Sequence, residues 1–169
     1  MADSNTTKKA LSASLKTLLS EHPYKKISIS DICAACNINR KSFYYHFKDK
    51  YDLVNWIFDS EFSSLMKTSD EQHTIHELCR YLYTNRDFYR RAFKIEGQNS
   101  FHSHFSSVCA EYVSEKLHYV EHTSSQEIII HFYSDAFVCA VERWLCDRDC
   151  ISPDQFYALL CTANERLFS

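Results

Sequence analysis

Glycine and proline are almost absent from this sequence: the 169 residues include one glycine and two prolines. Strand-rich proteins need many tight turns, and these two residue types dominate such turns. Their scarcity therefore indicates long helices joined by few sharp turns. No apolar run approaches the roughly 20 residues that a membrane-spanning helix needs. We expect an all-α fold with no membrane partner.

The sequence also lacks the short motifs that mark many enzymes. It contains no Gly-rich phosphate loop, no nucleophile motif, and no metal-ligand pair accompanied by a general base. The first fourteen residues, MADSNTTKKALSAS, are polar and lack the apolar core of a secretory signal. We therefore expect a cytoplasmic protein that is not an enzyme and holds no cofactor.

Charge is distributed unevenly along the chain, although the net charge is only −3. Residues 1–58 contain nine Lys/Arg and five Asp/Glu, whereas residues 59–169 contain ten Lys/Arg and seventeen Asp/Glu. A basic amino-terminal part attached to an acidic remainder favours an orientation of the basic part toward phosphates. With so few charges, chance clustering is the alternative explanation.

Residues 27–50, ISISDICAACNINRKSFYYHFKDK, are typical of two short helices joined by a tight turn. Ser28 with Asp31 three residues later is a helix start of the capping-box kind. Asn37 falls where the turn needs a residue that tolerates positive φ. Asn39 can cap the second helix. The pattern predicts a helix-turn-helix.

The second of these helices has an unusually polar outer face. Phe43 and Phe47, four residues apart, point toward a small core. The face that remains contains Arg40, Lys41, Ser42, Tyr44, Tyr45 and His46, with Lys48 and Lys50 just beyond. A helix that only packs against a core does not need so many donors, whereas a helix in the major groove of DNA does.

These residues resemble the DNA-binding domain of TetR/AcrR-type bacterial transcriptional regulators. The resemblance rests on Ser28, Asp31-Ile32-Cys33, Asn37, Asn39, Ser42-Phe43-Tyr44-Tyr45-His46-Phe47 and Lys50. Asn37 replaces the usual Gly of that pattern, and Cys33 replaces the usual Ala. The resemblance implies a DNA-binding domain over residues 1–58, a connecting fourth helix to about residue 65, and a regulatory and dimerisation domain over residues 66–169.

The resemblance also implies which residues contact DNA: Ser28, Ser30, Arg40, Lys41, Ser42, Tyr44, Tyr45, His46 and Lys50. Arg40 suits a bidentate contact with guanine. Tyr44, His46 and Lys50 suit phosphates, which position a protein without reading the sequence. Lys25 and Lys26 lie near enough to reach flanking phosphates. For any single residue, a solvated side chain is the alternative.

Five further helices are expected in the rest of the chain. They are predicted at about residues 69–84, 87–94, 100–119, 124–147 and 152–168. Ser152 to Gln155 combine a cap, a Pro at the first position and a Gln at the third, which together mark a helix start. Gly97, the one glycine, is expected to cap a helix C-terminus.

The last two helices, at about 124–147 and 152–168, are long and apolar. In TetR-type proteins the corresponding pair meets its two-fold mate as a four-helix bundle. The resemblance therefore implies a homodimer on a palindromic double-stranded operator, because one recognition helix alone binds weakly. Packing of the apolar stripe within one chain is the alternative.

A narrower resemblance involves Asn85–Tyr89, Gly97–Phe101, Trp144-Leu145 and Ser152-Pro153. These resemble a Firmicute branch of the family that includes an activator of a dihydroxyacetone-kinase operon. Most relatives repress, so we expect a repressor that an unknown small-molecule or protein effector releases. An activator that works with a coactivator protein is the alternative that the branch implies.

The nine histidines and eight cysteines suggest a zinc-responsive alternative. The candidate ligands are His102, His104, His118 and His122. Zinc sites usually need three or four converging ligands, so each of these residues alone is better explained as core or surface. The cysteines are scattered, and with no secretion signal we expect no disulfide framework.

An aromatic cavity is the other candidate sensor. Its possible lining residues are Tyr81, Phe88, Tyr89, Phe93, Phe101, Phe105, Phe132, Tyr133, Phe137 and Trp144. Small ligands are usually held in apolar pockets with a few polar groups. For most of these rings, filling the core is the favoured alternative.

Overall fold

The structure is a computed structural model that describes residues 4–66, 71–117 and 124–168. These residues form nine α-helices and no β-strand, which confirms the predicted all-α fold. A 3-10 turn (Tyr24–Lys26) separates the first two helices. The helices are α1 (Ser4–Glu21), α2 (Ile29–Ala35), α3 (Arg40–His46), α4 (Lys50–Met66), α5 (Glu71–Thr84), α6 (Arg86–Ala92), α7 (Phe101–Lys116), α8 (Ser124–Cys146) and α9 (Pro153–Phe168). Within these ranges no helix is long and apolar enough to cross a bilayer.

The chain divides into two compact units. The first comprises residues 1–67 and 87–101, and the second comprises residues 68–86 and 102–169. The first unit therefore contains α1 to α4 and nearly all of α6, although α6 follows α5 in sequence. The predicted domain division near residues 58–66 follows chain order and stays a prediction, because α6 groups with the amino-terminal helices.

Apolar side chains from α1 to α4 and from α6 form the core of the first unit. Leu11 and Leu15 of α1, Ile32 of α2 and Leu53 of α4 have no exposed surface. Burying such a side chain contributes roughly 1.5–3 kcal/mol each. The Phe58 ring of α4 lies against α6 and the start of α7 in an aromatic cluster with Tyr89, Phe93 and Phe101.

Local hydrogen bonds set the ends of α2 and α3 as the sequence predicts. The Asp31 amide donates to Ser28 Oγ at 3.1 Å, and the Ser28 amide donates to Asp31 Oδ2 at 2.8 Å. The Ser28 hydroxyl also donates to Asp31 Oδ2, and the hydrogen bonds from the Ser28 hydroxyl and amide lower the pKa of the Asp31 carboxyl. Asn37 has φ of 54°, and Asn39 Oδ1 accepts from the Ser42 amide at 2.8 Å. The predicted capping box, turn residue and N-cap are therefore confirmed.

In the second unit, Trp144 joins the end of α8 to α9. Its indole Nε1 donates to the Ile151 carbonyl at 2.8 Å, and its ring stacks on Phe156 with centroids 4.2 Å apart. Arg86 Nε donates to the Leu145 carbonyl at 2.9 Å. Since carbonyls at a helix C-terminus lack partners within the helix, a cation there is favourable. Arg86 therefore stabilises the end of α8.

The start of α9 has the predicted capping box. The Gln155 amide donates to Ser152 Oγ at 3.3 Å, and the Ser152 amide donates to Gln155 Oε1 at 3.1 Å. Asp154, in the first turn of α9, lies 2.7 Å from His76 Nε2 and 3.4 Å from Arg80 Nε of α5. These contacts hold the start of α9 against α5.

The prediction that Gly97 caps a helix C-terminus is wrong. The helix before it, α6, ends at Ala92, and the Gly97 carbonyl instead accepts from the Ser100 amide at 3.1 Å, just before α7. Its φ of +135° is a conformation that residues with a side chain rarely adopt. The Tyr51 hydroxyl would lie 3.5 Å from a Cβ at this position. Conformation, rather than lack of space, therefore favours glycine here.

The left-handed Asn37 gives a direct test of the turn. We expect Asn37→Gly to be neutral or slightly stabilising, whereas Asn37→Ala should lower the free energy of unfolding by about 1 kcal/mol because Cβ is disfavoured at positive φ. Urea unfolding of both variants checks this. Equal stabilities for Asn37→Ala and Asn37→Gly would contradict the assigned backbone conformation.

Candidate nucleic-acid interface

Two buried phenylalanines fix the rotation of α3. Phe43 is fully buried and Phe47 is 2% exposed, and their ring centroids lie 5.7 Å apart. The Phe47 ring also lies edge-on to Trp56 of α4, at 5.7 Å. Because residues four apart lie on one side of a helix, this side of α3 is directed into the first unit. The opposite side faces solvent.

The solvent side of α3 contains the predicted DNA-contacting residues. Tyr45 is 83% exposed and Tyr44 is 50% exposed, which is unusual for large aromatic side chains. Arg40 and Lys41 are exposed beside them. Ser42 and His46 are half-buried at the edge of this surface. Six of the nine predicted contact residues therefore lie together on one short helix.

Arg40 and Tyr44 contact each other across one helical turn. Arg40 Nη2 donates to the Tyr44 hydroxyl at 3.4 Å, and the guanidinium carbon lies 5.9 Å from the ring centroid. This hydrogen bond raises the pKa of Arg40, which stays cationic. An exposed pair of this kind adds little stability. Its consequence is a preferred orientation of the guanidinium, the group that suits guanine O6 and N7.

The two serines near the start of α2 differ in their availability. The Ser28 hydroxyl donates to Asp31 Oδ2 at 2.7 Å and accepts from the Asp31 amide, so the capping box occupies it. Ser30 is exposed. Contacts from Ser28 and Ser30 to DNA stay predictions, and the geometry favours Ser30.

Lys50 occupies a different environment from the other predicted contact residues. Its Nζ donates to the carbonyls of Tyr24 and Ile27, both at 2.8 Å. The same atom lies 4.1 Å from the centre of the Tyr24 ring. Two of its three donors therefore bind groups of the protein. The expected phosphate contact of Lys50 is not favoured by this arrangement.

Two lysines outside α3 differ in whether the sequence pattern singled them out. Lys8 Nζ of α1 lies 5.8 Å from the Phe47 ring centroid and 5.5 Å from that of Trp56, near the end of α3. The sequence pattern did not single out Lys8. Lys25, suggested as a flanking phosphate contact, lies 3.1 Å from Glu96. Both groups of this pair are more than 80% exposed, so the pair leaves Lys25 accessible.

The candidate metal ligands do not form a cluster in the described part of the chain, where no three His, Cys, Asp or Glu residues are placed to hold a metal ion. His102 Nε2 lies 3.6 Å from Glu142 Oε2, and His104 is half-buried. His118 and His122 lie outside the described residues. The zinc-responsive alternative therefore gains no support from His102 and His104.

The candidate pocket residues divide between the two units. Phe88, Tyr89, Phe93 and Phe101 belong to the core of the first unit and are at most 8% exposed. The remaining six, Tyr81, Phe105, Phe132, Tyr133, Phe137 and Trp144, belong to the second unit. Phe132 among them is 62% exposed. An effector site lined by all ten rings stays a prediction.

A capped turn, a short helix fixed by buried aromatics, and an outer face of cations and hydroxyls together define a helix-turn-helix DNA-binding protein. Residues 11–57 match the family model for bacterial regulatory proteins of the TetR family, and residues 69–165 match the model for a transcriptional regulator C-terminal region. The chain belongs to the TetR family. It is a DNA-binding transcriptional regulator and not an enzyme.

Comparison with individual proteins agrees with this assignment. The chain is 29% identical over 154 residues to the HTH-type dhaKLM operon transcriptional activator DhaS of Lactococcus lactis, covering 85% of this chain and 81% of that protein. A solved structure of the dihydroxyacetone kinase operon activator DhaS is similar with a TM-score of 0.65 and 23% identity, covering 93% of both chains. The resemblance to the branch that contains DhaS is therefore confirmed.

Two further solved structures share the fold. A TetR transcriptional regulator from Streptococcus agalactiae has a TM-score of 0.66 and 19% identity, covering 95% of this chain and 94% of that one. NalD of Pseudomonas aeruginosa, described as the secondary repressor of the MexAB-OprM multidrug efflux pump, has a TM-score of 0.62 and 19% identity, covering 97% of both chains. At these identities the likeness concerns the fold.

Proposed function

We propose that this regulator binds a palindromic operator as a homodimer, with α3 of each copy in the major groove, and represses transcription until an effector releases it. The observation that carries the proposal is the outer face of α3, where Arg40, Lys41, Tyr44 and Tyr45 are exposed together. Burial of Phe43 directs this face away from the core, and its donors match what base edges and phosphates accept. A DNA-binding regulator of this kind works in the cytoplasm, beside the chromosome.

The homodimer is supported by apolar side chains that the second unit leaves uncovered. On α8, Ile128 is 71% exposed and Phe132 is 62% exposed, and on α9 Leu159 is 60% exposed. Apolar groups clustered at a surface mark interaction sites. A second copy that packs the same two helices around a two-fold axis would cover them. It would also provide the second recognition helix that a palindromic operator needs.

Activation is the second candidate mode. The similarity to DhaS, a protein named as an activator of the dhaKLM operon, favours it. In that mode the bound dimer would work with a coactivator protein instead of being released by an effector. The exposed face of α3 serves both modes equally, because a repressor and an activator read an operator by the same contacts.

Binding-site selection from random double-stranded DNA tests the DNA-binding proposal. We expect an enriched palindrome whose half-sites are about one helical turn apart, or a multiple of that distance. In vitro transcription from a promoter with this palindrome then separates the two modes, since a repressor lowers transcript yield and an activator raises it. Selection that enriches no sequence would contradict the proposed operator binding. Added zinc that neither binds nor changes DNA affinity would exclude the zinc-responsive alternative.

The assignment of contacts on α3 makes a prediction about salt dependence. Lys41→Ala should weaken binding to operator and to unrelated DNA by a similar factor, and should reduce the slope of log affinity against log salt by about 0.9, because one phosphate contact is lost. Arg40→Ala should instead relax base preference at one position of each half-site, at a cost of about 1–3 kcal/mol. Fluorescence anisotropy over a salt series measures both effects. Ser107→Ala, at an exposed position of α7, is the control that should change neither.

The dimer proposal predicts the effect of charges on α8 and α9. A Phe132→Glu, Leu159→Glu double variant should be monomeric in sedimentation equilibrium, because a two-fold interface would bury four carboxylates in an apolar contact. Operator affinity should fall at least about a hundredfold with the second recognition helix lost. Ser107→Glu adds a charge at an exposed position of α7 and should stay dimeric. A double variant with the wild-type mass would show that these faces do not form the interface.

A further inference from the structure

We propose that Lys50 is a positioning residue for DNA binding: its ammonium fixes the turn before α2 to the first turn of α4 and thereby sets the position of α3, without itself contacting DNA. This inference rests on the proposed operator binding. We call Lys50, Tyr24 and Ile27 the Lys50 clamp.

The donors of Lys50 are largely used within the protein. Nζ donates to two carbonyl oxygens, those of Tyr24 and Ile27, each at 2.8 Å. The Tyr24 ring face lies on another side of the ammonium, with its centre 4.1 Å from Nζ. An ammonium has three donors, so two carbonyls and an aromatic face leave little of it for an external anion. Burial also lowers the pKa of Lys50.

The position of the two carbonyls explains what the clamp holds. One belongs to Tyr24, the first residue of the 3-10 turn, and the other to Ile27, the residue that follows the turn. The Tyr24 carbonyl also accepts from the Ile27 amide at 3.1 Å, the hydrogen bond that closes the turn. Carbonyls at the end of a helical turn favour a cation. Ile27 immediately precedes Ser28, the N-cap of α2, and Lys50 is the first residue of α4. The clamp therefore joins the residues on either side of the helix-turn-helix.

Side-chain packing around the clamp supports a positioning role. Tyr24 is 8% exposed, and its ring lies edge-on to that of Tyr51 with centroids 5.4 Å apart. Its hydroxyl is buried without a hydrogen-bond partner, so the ring and not the hydroxyl carries the interaction. In contrast, Lys41 and Lys48 are exposed. Nearby lysines that suit phosphates are therefore present, and Lys50 differs from them.

The affinity for DNA over a salt series distinguishes a positioning role of Lys50 from a phosphate contact. The full-length Lys50→Met and Lys50→Arg variants are measured on the selected operator and on unrelated DNA. We expect Lys50→Met to bind the operator about tenfold more weakly, since two charge-assisted hydrogen bonds are lost. Its salt slope and its affinity for unrelated DNA should stay at the wild-type values. A phosphate contact predicts instead a slope lower by about 0.9 and an equal loss on both DNAs, and that result would overturn the inference.

Lys50→Arg keeps the test decisive if Lys50→Met does not fold. An arginine binds phosphate at least as well as lysine does, so a phosphate contact predicts wild-type operator affinity. The donors of a guanidinium are fixed in one plane and spread over three nitrogens, unlike the compact ammonium that contacts both carbonyls beneath the Tyr24 ring. Positioning therefore predicts weaker operator binding with an unchanged slope. Wild-type operator affinity in Lys50→Arg would refute the positioning role.

Tyr24 provides the matched control. Tyr24→Phe removes only the unpartnered hydroxyl and should leave operator affinity unchanged, whereas Tyr24→Leu removes the ring face and should weaken operator binding at an unchanged slope. Thermal unfolding without DNA tests the clamp separately from the proposed function. If wild-type protein selects no operator, the proposed function fails, and a lower midpoint for Lys50→Met still supports the clamp. A wild-type midpoint for that variant would show that the clamp does not hold the turn.

Discussion

Burial of Phe43 and Phe47 is the constraint on which the exposed surface of α3 depends. This helix has seven residues, so it is about 10 Å long and too short to be stable alone. Its conformation comes from packing, and the two buried rings set its rotation. If α3 were rotated by one residue position, about 100°, other side chains would face solvent in place of Tyr44 and Tyr45. The same contacts therefore provide stability and select the face that we propose reads DNA.

The ends of α3 are fixed by two different kinds of interaction. At its N-terminus, Asn37 makes the left-handed turn and the Asn39 side chain accepts from the Ser42 amide, so the chain is directed by residues close in sequence. Past its C-terminus, Lys50 and Tyr51 make contacts over long separations. Tyr51 donates through its hydroxyl to the Glu96 carbonyl at 3.2 Å. The start of α4 thus contacts both the turn before α2 and the segment after α6, which explains why that segment belongs to the first unit.

The features that the sequence predicted correctly depend on chemistry between near neighbours. Ser28 with Asp31, and Ser152 with Gln155, are three residues apart, so a capping box can be read without knowing the fold. The Lys50 contacts span 23 and 26 residues and could not be read in this way. Gly97 was misassigned for the same reason, since a glycine indicates an unusual φ but not which element it follows. Aromatic residues such as Phe88 and Phe105 have the same periodicity whether they line a pocket or fill a core.

Charge distribution and contact geometry have separate roles in this molecule. The first unit contains 13 Lys/Arg and nine Asp/Glu, whereas the second unit contains six Lys/Arg and 13 Asp/Glu. The resulting +4 and −7 favour approach to DNA through the first unit, but such steering acts over a Debye length of about 8 Å at physiological salt and does not depend on base sequence. Discrimination between sequences must then come from short-range contacts. Arg40, oriented by Tyr44 and placed by the packing of α3, is the residue whose donors best match a base edge.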